Sequence, residues 1–184
     1  FHALMGFTKA EVETIMRLIG VTDQLMSPIM ADLTAWYDGY LFNTNATEKL
    51  YNSDMVMYFA NYYERKKAYP KPMLDTNIAS DYTKVRKVFI TNTVEDTYIP
   101  LLKKLTTEGS VSARITDIFN FEKPFEQEDI VSLLFYMGWL TIQGEEAGYY
   151  SFKVPNQVIR ELYYEYFVVI SEEETQLNRA SGDI

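Results

Sequence analysis

The stretch WLTIQGEEAGYYSFKVP, residues 139–155, decides the fold class. Leu140 and Ile142 alternate with polar neighbours, and so do Tyr150, Phe152 and Val154, which is the two-residue period of half-buried strands. The polar, glycine-containing segment between them reads as a hairpin loop. Before it, EQEDIVSLLFYMG (126–138) predicts a helix whose acidic residues stand at the positive end of its dipole. After it, Asn156 is placed to cap the helix QVIRELYYEYFVVI, which packs through Val158, Ile159, Leu162, Tyr163 and Phe167.

Helix, two-stranded wing, helix is the order met near the end of a winged-helix unit. Working back from it, SVSARITDIFNFEKPF (110–125) is short, mixed and extended in part. A helical segment precedes it from about Val94 to Thr107, ended by Gly109, with Pro100 either kinking it or marking its start. Near the beginning of the chain, TKAEVETIMRLIG places Val12, Ile15, Met16 and Ile19 at helical spacing, with Thr8 and Glu11 as a capping box and Gly20 as the stop. Ser27 is a cap and Pro28 a first helical residue for a stripe of Ile29, Met30, Leu33, Trp36 and Tyr37, closed by Asp38 and Gly39. NTNATEK follows as an exposed loop, then Asn52 or Ser53 caps a helix carrying Met55, Val56, Phe59 and Tyr63. RKKAYPKP is a basic connector, and Ser80 or Asp81 opens a helix with Tyr82, Val85, Val88 and Phe89 on its apolar side.

The expected fold is mainly α: a helical region over 1–109, a winged-helix-like module with one β-hairpin over 110–170, and a polar tail over 171–184. With 184 residues, 47% hydrophobic and 23% charged, the chain has the composition of a folded protein. Phe1 and the polar ending SEEETQLNRASGDI read as the ends of a piece of something longer. No apolar run approaches the ~20 residues of a membrane helix, so the expectation is a cytoplasmic protein without membrane contact.

Composition also narrows the chemistry. There is no cysteine, which removes disulfides, thiolate metal sites and thiol nucleophiles; the one histidine, His2, lies beside the chain start and reads as a surface residue. None of the eight glycines has a P-loop or dinucleotide-binding setting. The only [D/E]-x-K, Glu64-Arg65-Lys66, ends a helix with no strand before it, and reads as a solvated terminus rather than a nuclease motif. Acidic runs at 126–129 and 172–174 read as solvated helix starts and tails.

Charge is unevenly placed: residues 1–109 carry 12 Lys+Arg against 13 Asp+Glu, residues 110–184 carry 5 against 13. Phosphate backbones demand cations on the contacting face, so the second part is a poor nucleic-acid binder. The best nucleic-acid candidate is Arg65, Lys66, Lys67 and Lys71, interleaved with Tyr62, Tyr63 and Tyr69. It supports the alternative of a nucleic-acid-binding winged-helix module.

The pieces GFTKAEVETIM, WYDGYLF with LYNSDMVMYF, MLDTNIASDY, and SLLFYMGWLTI with YSFKVPNQVIRELYYEYF, taken in this order, resemble the bacterial predicted AAA-ATPase-like family, an ATPase usually fused to a restriction-endonuclease-like nuclease domain. The resemblance implies that 1–109 is the ATPase's helical lid and 110–170 its winged helix. The ATPase core would precede Phe1 and the nuclease-like domain would follow Ile184. It implies a non-catalytic accessory segment with no cofactor of its own, coupling nucleotide state to the downstream domain, with ATP and Mg belonging to the intact protein. Asp38, Gly39, Tyr40, Tyr51 and Asn52 would then be a lid turn facing the nucleotide. The family has Tyr-Asn-Pro where this chain has Tyr51, Asn52 and Ser53, so the rigid turn is lost while a helix start is kept.

Overall fold

The computed structural model describes residues 4–75, 95–120 and 122–165, with residue 168. The helix expected around residues 81–89, Phe167 and the tail lie outside these. The elements are α1 (Lys9–Leu18), α2 (Asp23–Tyr37), α3 (Ser53–Lys66), α4 (Glu95–Glu108), β1 (Ser110–Ala113), α5 (Gln127–Tyr136), β2 (Thr141–Glu146), β3 (Tyr149–Lys153) and α6 over residues 157–165. The fold is mostly α-helical with one small antiparallel sheet.

Side-chain caps account for the starts of α1, α3 and α6. The α1 capping box forms: the Glu11 amide donates to Thr8 Oγ1 at 3.3 Å and the Thr8 amide to Glu11 Oε2 at 2.8 Å. Asn52 Oδ1 accepts from the Met55 amide at 3.1 Å to start α3, and Asn156 Oδ1 accepts from the Ile159 amide at 3.2 Å to start α6. The α2 start is a correction, because the helix begins at Asp23 with Thr22 as N-cap, and Pro28 lies inside it. The amides of Leu25 and Met26 both bond the Thr22 carbonyl, so a turn is already formed when the proline arrives. Pro28 then forfeits one amide donor, a loss offset by burial of Met26 ahead of it and Ile29, Met30, Leu33 and Tyr37 behind it. Pro100 likewise lies within α4.

The strand order is β1-β3-β2, all antiparallel. Val111 faces Phe152 on one side and Ile142 faces it on the other. Between Ile142 and Gly144 the register slips, leaving Gln143 as the extra residue of a β-bulge. The hairpin loop is shorter than expected, since Gln143 to Glu146 continue β2 and the turn is Ala147-Gly148 alone, at φ 52° and 79°. Two positive φ values match the right-handed strand twist, and the exposed end of the ribbon needs no apolar alternation.

The buried side chains of α1–α3, α4, the sheet, α5 and α6 form one contiguous core. Its largest fully buried member is Trp139, met edge-on by Tyr163 at 5.2 Å. Helix α4, placed with residues 1–109 by the sequence, packs against β1 and α5.

Candidate functional site

Asp38, Gly39, Tyr40, Tyr51 and Asn52 come together at the end of α2 and the start of α3. Tyr40 and Leu50 exchange both backbone hydrogen bonds, at 3.1 and 3.0 Å, and Phe7 and Tyr51 exchange theirs at 3.0 and 2.8 Å. The Asn52 amide donates to the Tyr37 carbonyl at 3.0 Å, closing the base of the loop. Only residues 43–49 stand out from this ribbon as the polar loop read from the sequence.

The ribbon runs directly into the hairpin. Leu41 donates its amide to Thr141 Oγ1 at 2.6 Å, and its carbonyl accepts from the Ile142 amide at 3.2 Å and from the Thr141 hydroxyl at 3.3 Å. Leu41 thereby covers the edge of β2 that β3 leaves free. Phe42 stacks on Tyr40 and leans on Phe135 of α5, with ring centres 5.9 and 6.0 Å apart. Gly39, at φ 116°, lies so close to Pro155 that a Cβ would overlap the proline's carbonyl oxygen. The turn is a joint between the first three helices and the hairpin with its following helix.

The joint is polar at its centre. The Tyr40 ring is buried, its hydroxyl lies near the Asn52 and Asn156 side chains without a well-formed hydrogen bond, and burial pushes it up to about 12. The two residues beside it are the N-caps of α3 and α6, so one tyrosine borders both helix starts. Tyr51 shares a 2.7 Å hydrogen bond with the Thr34 hydroxyl, and its pKa is raised chiefly by burial. Asp38 is the C-cap of α2, where the helix dipole is negative. Its Oδ1 is buried and makes no hydrogen bond. Burial raises its pKa, and neighbouring Glu48 adds to the rise; the Gly39 amide and Lys49 oppose it.

The basic residues lie elsewhere. Arg65 and Lys66 end α3 in solvent, and the Arg65 Nε donates back to the Asn61 carbonyl at 3.1 Å. Lys67, the left-handed C-cap, sends its ammonium to the Ile19 carbonyl at 2.9 Å, while Lys71 is exposed. Two of the interleaved tyrosines serve packing: Tyr63 stacks on Phe59 and Tyr69 meets Phe59 edge-on while donating to Asp32 Oδ2 at 2.7 Å. Among the described residues no three acidic or histidine side chains gather as a metal site, and no helix is long and apolar enough to cross a membrane.

Sequence reading missed Leu41, Thr141, Pro155 and Asn156 as parts of this joint. Asn156 was visible only as a cap, and Thr141 carries no local signal, because its partner lies a hundred positions away in the chain. The chain matches no protein-family model, no curated protein and no solved structure.

Proposed function

We propose that the chain is a non-catalytic accessory segment of a AAA-type ATPase, a helical lid followed by a winged-helix-like module, which couples nucleotide state to a downstream nuclease-like domain. The observation that carries this reading is the joint, where Leu41 is bonded into the edge of β2 and Gly39 is pressed against Pro155. A displacement of α2 or α3 at such a joint must move the hairpin, because hydrogen-bonded, close-packed elements shift as units. ATP and Mg would be held by the intact protein's core, and Asp38, Gly39, Tyr40, Tyr51 and Asn52 would pass on its rearrangement. The strand order β1-β3-β2, with α5 between β1 and the hairpin, supports the winged-helix-like description.

The test uses both the chain and the full-length gene product. The chain alone should neither bind ATP tightly nor hydrolyse it. In the full-length protein, Thr141→Val should leave ATP turnover in place and weaken the dependence of the downstream activity on nucleotide. Turnover by the chain alone, or unchanged nucleotide dependence in the variant, overturns the reading.

A further inference from the structure

Lys153 is the one lysine or arginine among the described residues that is not exposed. It stands at the end of β3, half-buried, and makes no ion pair or side-chain hydrogen bond among those residues. Elsewhere in the protein, cations near a suitable partner take it: Arg17 pairs with Asp23 at 2.7 Å, and Lys67 bonds the Ile19 carbonyl at 2.9 Å. A cation held partly out of water loses hydration that a partner ordinarily replaces, so an unpartnered one marks a place where an anion is favoured.

The lysine borders a cavity of about 510 Å³ between the end of α4, the end of β3 and α6, a volume in the range of small-molecule sites. Arg160, on α6, borders the same cavity and is likewise without a partner among the described residues. Residues 110–184 hold only 5 Lys+Arg, and two of them stand here. The carboxylate on the lining, Glu108, is 63% exposed and has Lys104 at 4.0 Å, so two free cations face one acid that is already engaged. The carbonyl end of α4 also borders the cavity, yet neither Lys153 nor Arg160 bonds a carbonyl there, as a helix-capping role would require. Leu105, Val154 and Tyr163 give the cavity an apolar wall. Two cations are too few for a phosphate backbone, and an inorganic ion would leave that wall in water.

We propose that this cavity binds a small organic anion, a carboxylate or phosphate head on Lys153 and Arg160 with an apolar body against Leu105, Val154 and Tyr163. The cations select the charge through charge-assisted hydrogen bonds, and the apolar wall supplies burial that a simple ion cannot use. None of the lining residues belongs to the joint, so the inference holds whether or not the chain serves an ATPase.

The probes are phenyl phosphate and phenylacetate, which carry the two anionic heads on the same ring. Benzyl alcohol, a ring without charge, and inorganic phosphate, charge without a ring, are the controls. Titrated into the isotope-labelled 184-residue chain, at least one probe should shift the amide signals of residues 105–109, 153–154 and 160–164 at lower concentration than either control, and the tighter probe identifies the head group. Lys153→Gln should weaken that binding about tenfold, the scale of one charge-assisted contact. Arg160→Gln should also weaken it, while Lys123→Gln, at an exposed lysine outside the cavity, should change nothing. Because Lys153 has no native partner to lose, Lys153→Gln should leave the thermal midpoint of the free chain unchanged or higher; a lysine with a purely structural role would lower it. The proposal is overturned if neither probe shifts these signals, if a control binds as well as both probes, if Lys153→Gln binds as tightly as the parent, or if that variant lowers the midpoint.

Discussion

Gly39 and Gly148 both have positive φ, yet they should respond differently to the same substitution. At Gly148 an added Cβ meets nothing within 4 Å, so Gly148→Ala should cost about 1 kcal/mol for the backbone conformation alone. At Gly39 the Pro155 carbonyl is in the way as well, and Gly39→Ala should cost roughly 2–4 kcal/mol in urea denaturation. The glycine at a helix end was readable from its neighbours; the overlap with Pro155 was not, because that contact joins residues far apart in the chain. Asp38 makes the opposite case. An ionised carboxylate at the negative end of α2 opposes the dipole, so Asp38→Asn should stabilise the protein by about 0.5 kcal/mol at neutral pH. Burial raises the folded-state pKa, so the native state holds this proton more firmly than the unfolded chain. The penalty is therefore full above the folded pKa and fades as pH falls through it, and the gap between parent and variant in denaturation midpoint should close in acid.

At the scale of elements, what could be read locally was read well. The α1 capping box and the asparagine caps of α3 and α6 lie within three residues of the amides they serve, so spacing alone reveals them. Asn156→Ala should destabilise the protein by about 1 kcal/mol, measured by thermal unfolding, with the loss of one capping bond. The two misread boundaries share a cause. Pro28 looked like a helix start because an interior proline is costly in isolation, but core burial of Met26 and its neighbours outweighs one missing bond. The end of β2 looked like loop because its residues are polar, yet backbone pairing with β3 extends it to the Ala147-Gly148 turn. Alanine is strained at φ 52°, so Ala147→Gly should raise stability by roughly 0.5–1 kcal/mol.

For the whole molecule the question is whether the helical part and the hairpin part unfold together. Trp36 lies on α2 and Trp139 leads into β2, so each part has its own fluorophore, to be resolved with Trp36→Phe and Trp139→Phe variants. With the joint intact the two reporters should give one coincident transition. Thr141→Val removes the two side-chain bonds to Leu41, leaves the Ile142 amide on the Leu41 carbonyl, and should cost about 1–2 kcal/mol, the scale of leaving a half-buried amide unpaired. Transitions that are already separate in the parent protein would show that the joint does not couple the parts. Hydrophobic period, caps and turn glycines by themselves determined that this chain is mostly helical and carries one hairpin near its end, because those signals act over a few residues. Only the tertiary structure decided that the Asp38–Asn52 turn meets the hairpin, that α4 packs against β1 and α5, and that Tyr136 and Met137 at the end of α5 stay exposed. Those outcomes depend on which surfaces meet after the chain has closed long loops, and no local pattern encodes that choice.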